Sequence, residues 1–290
     1  MRLDEYQALA QETDQYSTSS DNWILIPLLG LVGEAGALVS EYKKLLRDGD
    51  AHVMFRDQVK EELGDLLWYI ANLATKYHLS LSLIAQNNLA KAKDRFIPPK
   101  DPPELFDVDF PEAEQLPRSF ELTLAERTLD GQQRVVLLDS SGEPVGNSLT
   151  DNAYDDDGYR YHDVFHLAYA AILGWSPVTR KILGKKRKSN QTVDEIEDGG
   201  RARVIEEAIA AAAYEYASRH HFLEGANRID WELLRSIKRL TANWEVAARG
   251  TAEWEKAILT GFEVWRKVRT SNGGCIRGDL QKRSFTYVTK

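Results

Sequence analysis

With a single cysteine, Cys275, among 290 residues, neither an intrachain disulfide nor a cysteine-rich zinc site can form, and a reducing, cytoplasmic setting fits. Excess positive charge is also missing. A net charge of −8 and a pI of about 5.4 argue against non-specific nucleic acid or anionic membranes as partners. The longest apolar run, Trp23 to Gly33, contains Pro27 and ends at Glu34, too short to span a bilayer. The N-terminus "MRLDEYQALAQETDQY" is acidic and polar, unlike a secretory signal. Solenoid-type repeats are not evident.

What is present is helical spacing. Residues 1–96 read as four helices: Leu3 to about Tyr16, Trp23 or Pro27 to Leu46, Phe55 to Tyr77, and a fourth capped by Ser80 that ends at Phe96. "STSSDN" supplies turn and N-cap residues before the second helix, and "RDGD" stops it. The segment from Ile97 to Pro117 holds most of the nine prolines and cannot be regular helix. "SFELTLAER", "QRVVLLDSS" and "PVGNSLT" then read as two or three short antiparallel strands. Helical spacing returns near 159–174, 177–184, 192–219, 229–246 and 251–269, followed by a tail expected to be irregular. The expected organisation is a helical domain over 1–97, a Pro-rich linker over 98–118, a small β segment over 119–152, a helical domain over 153–270 and the tail over 271–290. The fold class is mainly α with a small antiparallel β insertion.

The first half sets acids into apolar helices. Glu34 and Glu41 are two turns apart and share a face of the second helix, and Glu62 and Asp65 share a face of the third. Leu63, Leu66, Leu67 and Ile70 form the stripe expected to be buried beside them. Antiparallel pairing of these helices would bring Glu34 level with Glu62 and Asp65. Gly33, Gly36 and Gly64 flank the acids, and glycine inside a helix costs about 1 kcal/mol relative to alanine, so a packing or site-related reason is expected. The plain alternative is a solvated face whose carboxylates pair with Lys43, Lys44 or Lys60. Clustered carboxylates repel unless a cation sits among them, and oxygen-only ligands suit Mg²⁺ or Mn²⁺.

"LDEYQALAQET", "LLGLVGEAG", "EELGDLLWYIANLA" and "NNLAKAKDRF" occur in an order and spacing that resembles the MazG-like all-α nucleoside triphosphate pyrophosphohydrolases, over about residues 3–96. The resemblance implies a four-helix bundle, built up by dimerisation, that holds Mg²⁺ and cleaves (deoxy)nucleoside triphosphates between the α and β phosphates. Glu34, Glu62 and Asp65 would be metal ligands. Asn88, Lys91 and Arg95, on one face of the fourth helix, would meet the phosphates or hold that helix in place. The family pattern is E-x-x-E followed by E-x-x-D, and here the second glutamate is replaced by Ala37. Glu41 or Glu61 is the candidate to substitute for it or to orient the attacking water. A chain one carboxylate short could instead be a catalytically weak nucleotide sensor or interaction module.

In the second half, "YRYHDVFHLAYAAILGW" carries His162 and His166 at i, i+4 with Asp163 between them. The spacing resembles a helical zinc pair, but the glutamate of H-E-x-x-H is replaced and no third ligand is evident. The plain reading is two histidines on a helix packed by Phe165, Leu167 and Ile172, bonded to nearby acids. Asp198 and Glu206 are candidates to face them, with Gly199–Gly200 a break between. The block "DNAYDDDGYRYHDVFHLAYAAILGWSPV" looks like the C-terminal region that accompanies some MazG-like domains. It could cover the first helices as a second subunit does, making a pseudo-dimer within one chain. "RKILGKKRKSN" has six basic residues in nine positions, read as a solvated loop or, alternatively, a phosphate clamp. The Arg-Gly-Asp within "IRGDL" is read as chance.

Overall fold

A computed structural model describes residues 1–15, 22–99, 101, 103–129 and 131–288. Most of "STSSDN" lies outside them. The chain divides into two compact units, Met1–Ala92 and Lys93–Lys290.

The first unit has α1 (Leu3–Glu12), α2 (Leu25–Asp48), α3 (Phe55–Lys76) and most of α4 (Leu81–Phe96), whose last turn belongs to the second unit. Helix α2 ends at Gly49, whose φ of 56° suits glycine, and the chain turns back so that α3 runs beside α2. Helix α1 is clamped to α3 by polar contacts. Trp68 donates to Thr13 Oγ1 at 2.7 Å, and the buried Lys76 reaches Asp14 at 2.6 Å. Gln7 binds the start of α4, its Oε1 accepting from the Leu81 amide at 2.8 Å, and Ser80 caps that helix through the Leu83 amide. The enclosed core is small: Ala10, Ala71 and Leu81, with Tyr6 and Trp68 against them. Leu63, Leu67 and Ile70 are exposed, contrary to the expectation of a buried stripe, because no described element of this unit lies over that face.

Among the described residues, the second unit has a five-stranded antiparallel sheet and the helices α5 to α10. The strands are β1 (Ser119–Leu129), β2 (Gln132–Leu138), β3 (Pro144–Leu149), β4 (Gly273–Asp279) and β5 (Ser284–Val288), ordered β3-β2-β1-β4-β5. The tail is thus regular, not irregular, and the β segment is not self-contained. Ile276 of β4 pairs with Leu122 of β1. Glycines make this possible: a Cβ at Gly278 would lie 2.2 Å from the Phe120 ring, so the Arg-Gly-Asp triplet has a packing role.

Every residue of α5 (Asp163–Leu173) is buried. It packs on α10 (Thr251–Thr270), where Gly261 allows close approach to Phe165 and Ala168. Around them come α6 (Pro177–Ile182), α7 (Gln191–Ile196), α8 (Gly200–Ser218) and α9 (Trp231–Leu240). The expected helix over 192–219 is broken at Gly199, where a Cβ would collide with the Glu195 carbonyl. The Pro-rich stretch is packed into this unit. Its buried Asp107 accepts from the Leu116 amide and from Arg118 and Arg180.

The basic run is likewise not a solvated loop at its arginines. Arg180 and Arg187 are fully buried, and Arg187 binds both oxygens of Asp198 and both of Glu245. Asp198 therefore serves this network, not the histidine helix. The arginines are not free for a phosphate clamp either.

Candidate metal and nucleotide site

Because α2 and α3 lie side by side, Glu34 on one and Glu62 and Asp65 on the other converge: an oxygen from each lies within 4.8 Å of the other two. Glu34 and Glu62 are half-buried and Asp65 is exposed. Burial and the neighbouring Glu34 carboxylate push Glu62 above the usual carboxylate range, with Asp65 and Glu61 adding to the effect. Burial, and then the charge of Asp65, raises the Tyr6 phenol, so α1 also borders the cluster. Three converging carboxylates form a donor set suited to a hard divalent cation, whose oxygen ligands sit about 2.0–2.6 Å from the ion. A modest closing of the side chains would bring the three oxygens into that range.

Glu41 does not join the cluster. Two turns place it about 10 Å further along α2, where it is buried and hydrogen-bonded by Lys44 and by His52 at 2.9 Å. The Gln58 amide, with its nitrogen toward Glu41, donates to both carboxylate oxygens. Lys44 holds the Glu41 carboxyl below the usual range, with burial opposing and His52 helping. Its oxygens brace α2 against the start of α3. Glu61 is exposed and outside the cluster, one position around the helix from Glu62.

Asn88 and Lys91 are exposed on α4 and make no hydrogen bond or ion pair among the described residues. Arg95 lies over the Trp231 ring at 5.1 Å, which suits holding the end of α4. The glycines beside the acids are not explained by packing within the unit: a Cβ at Gly33, Gly36 or Gly64 would meet no described atom within 4 Å. Gly30, which the acid pattern does not single out, is the packing glycine, with Tyr69 directly over it. The segment Leu25–Ala51 is long and apolar enough to cross a membrane by length and composition, yet it carries Glu34 in the carboxylate cluster.

Two family models match the chain. The MazG nucleotide pyrophosphohydrolase domain covers residues 27–96, which include all three clustered carboxylates, and the MazG C-terminal domain covers residues 101–290. The Gene 37 protein of Mycobacterium phage L5 is 39% identical over 101 residues, 33% of this chain and 89% of the phage protein. No solved structure matches. The chain thus belongs to the MazG family, joining a MazG nucleotide pyrophosphohydrolase domain to a MazG C-terminal domain.

Proposed function

We propose that the chain hydrolyses (deoxy)nucleoside triphosphates to the monophosphate and pyrophosphate, with Mg²⁺ (or Mn²⁺) held by Glu34, Glu62 and Asp65. The convergence of these three carboxylates within 4.8 Å, inside the segment matched by the pyrophosphohydrolase domain, carries this proposal. When bound, the ion would neutralise triphosphate oxygens and lower the pKa of the attacking water. Glu61, exposed beside Glu62 and uncommitted among the described residues, would accept that water's proton. Asn88 and Lys91 offer donors for phosphate oxygens, and Arg95 would reach phosphate or hold the end of its helix.

The apolar side chains left exposed on α2 and α3, among them Leu29, Val32, Leu63 and Ile70, favour a homodimer in which a second copy covers this face. With its one free cysteine, the protein suits the cytoplasm.

The test is pyrophosphate release across a panel of NTPs and dNTPs with Mg²⁺, Mn²⁺ or EDTA. Metal-dependent turnover that disappears in both Glu62→Gln and Asp65→Asn is expected. Unchanged release by both variants removes these residues from the site. A second reading, a nucleotide-binding module with little turnover, is favoured by one observation: the position of Ala37 is not compensated by Glu41. Saturable nucleotide binding without pyrophosphate release would select it.

A further inference from the structure

Helix α8 supplies the third donor that the histidine pair lacks in sequence. Donor atoms of His162, His166 and Glu207 lie within 4.8 Å of one another. Both imidazoles are fixed by their Nδ1 atoms. The Nδ1–H of His162 donates to the Tyr159 carbonyl at 2.9 Å, and that of His166 donates to Glu206 at 2.9 Å. Glu206 is itself buried and locked, accepting from Ser176 Oγ and from the Val178 amide. A carbonyl or carboxylate behind each imidazole is the arrangement that orients metal-bound histidines, and it leaves both Nε2 atoms for a ligand. The His166 Nε2 is completely buried and makes no hydrogen bond of acceptable geometry, although it lies 3.3 Å from a Glu207 oxygen. That nitrogen and that oxygen thus approach one another without bonding.

The cluster opens on a cavity of about 590 Å³ whose lining includes His162, Asp163 and Glu207, with Lys181 and Arg203. Two cations facing a His–His–Glu set make little sense for a neutral ligand. They suit an anion that approaches the same point.

We propose that His162, His166 and Glu207 form a transition-metal site in the second unit, whose free coordination positions face this cavity and take a phosphate-bearing ligand held by Lys181 and Arg203. Two imidazoles and one carboxylate favour Zn²⁺ or Fe²⁺ over Mg²⁺. This separates the site chemically from the all-carboxylate cluster of the first unit. The competing arrangement is a protonated His166 between two glutamates: burial opposes the charged ring, but Glu206 and Glu207 outweigh it and push His166 up to about 10.

The full-length protein, stripped with chelator, is titrated with Zn²⁺ by calorimetry and with Co²⁺ by visible absorption. One equivalent per chain that binds Zn²⁺ and gives a Co²⁺ ligand-field spectrum is expected, retained in Glu34→Gln. His162→Ala and Glu207→Gln should each weaken it by roughly tenfold or more. The Glu207 side chain is 46% exposed, so Glu207→Gln should fold even if a histidine variant does not. Absence of a stoichiometric ion in wild type, unchanged affinity in Glu207→Gln, or loss of the ion in Glu34→Gln instead would each overturn the site. Inorganic phosphate should shift the Co²⁺ spectrum of wild type and not that of the Lys181→Ala/Arg203→Ala double variant. Equal shifts in both would overturn the anion-binding half of the proposal.

Discussion

The two units bury their acids and their apolar surface in opposite ways. In the second, Trp175, Trp254, Trp265 and Phe262 are sealed in a continuous core, and buried acids such as Asp107 and Asp198 are matched by buried arginines. In the first, the enclosed core is Ala10, Ala71 and Leu81, large aliphatic side chains face solvent, and three acids converge with no ion pair to a basic side chain among the described residues. In the second unit, buried apolar surface and these acid–arginine pairs hold the core together. The first unit keeps its large aliphatic side chains exposed and its three carboxylates close together.

Core truncation should break this contrast most visibly. Phe262 is fully buried, with its ring 4.5 Å from that of Phe165, and Phe262→Ala should cost about 3–5 kcal/mol. Leu29 is 61% exposed, and Leu29→Ala should change the stability of the isolated chain by less than about 0.5 kcal/mol. Urea melts at low and high protein concentration check both. A Leu29→Ala effect that appears only at high concentration would locate the surface on which a second copy sits.

Removing an acid should act with opposite sign in the two units. Asp198 accepts from the backbone and side chain of Arg187, and Asp198→Asn leaves that buried guanidinium short of charge, at a cost of about 3 kcal/mol or more. Glu62→Gln removes mutual repulsion, so its melting temperature in EDTA should equal or exceed that of wild type. A clear fall for Glu62→Gln in EDTA would mean that this carboxylate is structural.

Much of this contrast could be read in the sequence, but only where its cause is local. The helices of the first unit follow from apolar period and caps such as Ser80, and the i, i+3 spacing of Glu62 and Asp65 already places them together. Strands β4 and β5 could not be read, because β4 gains its meaning from β1 at the other end of the unit. Arg180 and Arg187 looked solvated because their partners, Asp107 and Glu245, are 73 and 58 residues away. Glu207 was not singled out, because whether it faces the histidines depends on how α8 rotates against α5. The exposure of Leu63 and Ile70 was also illegible, since period shows an apolar face and not what covers it.

The acids of the second unit offer a subtler test through pH. Burial, then the charge of Glu245, pushes Glu197 up to about 7. The native state therefore holds this proton more tightly than the unfolded chain, whose value is near 4.5. Its contribution is complete below about pH 4.5 and is lost as pH rises through about 7. Glu197→Gln should flatten that fall by on the order of 1 kcal/mol, allowing for solvent screening of a half-buried group. Urea melts from pH 4.5 to 8 measure it, and parallel profiles for variant and wild type would dismiss the effect.

The smallest expected change sharpens the comparison in the first unit. Ala37 lies one turn from Glu34 on the same face of α2, at the position where the resemblance set out above implies a glutamate. Ala37→Glu would add a like charge at i, i+3, costing about 0.2–0.5 kcal/mol without metal. With Mg²⁺ present the sign should reverse, because a fourth anionic oxygen replaces water in the coordination of a hard cation. A ligand that binds only the folded state raises stability in proportion to its affinity. The melting curves should therefore cross: Ala37→Glu below wild type in EDTA, and with a larger upward shift on adding Mg²⁺. Glu41 cannot mask this gain, being held by Lys44 and His52 two turns from Glu34. Equal Mg²⁺ shifts in variant and wild type would show that residue 37 does not reach the ion, and that three carboxylates are all the site requires.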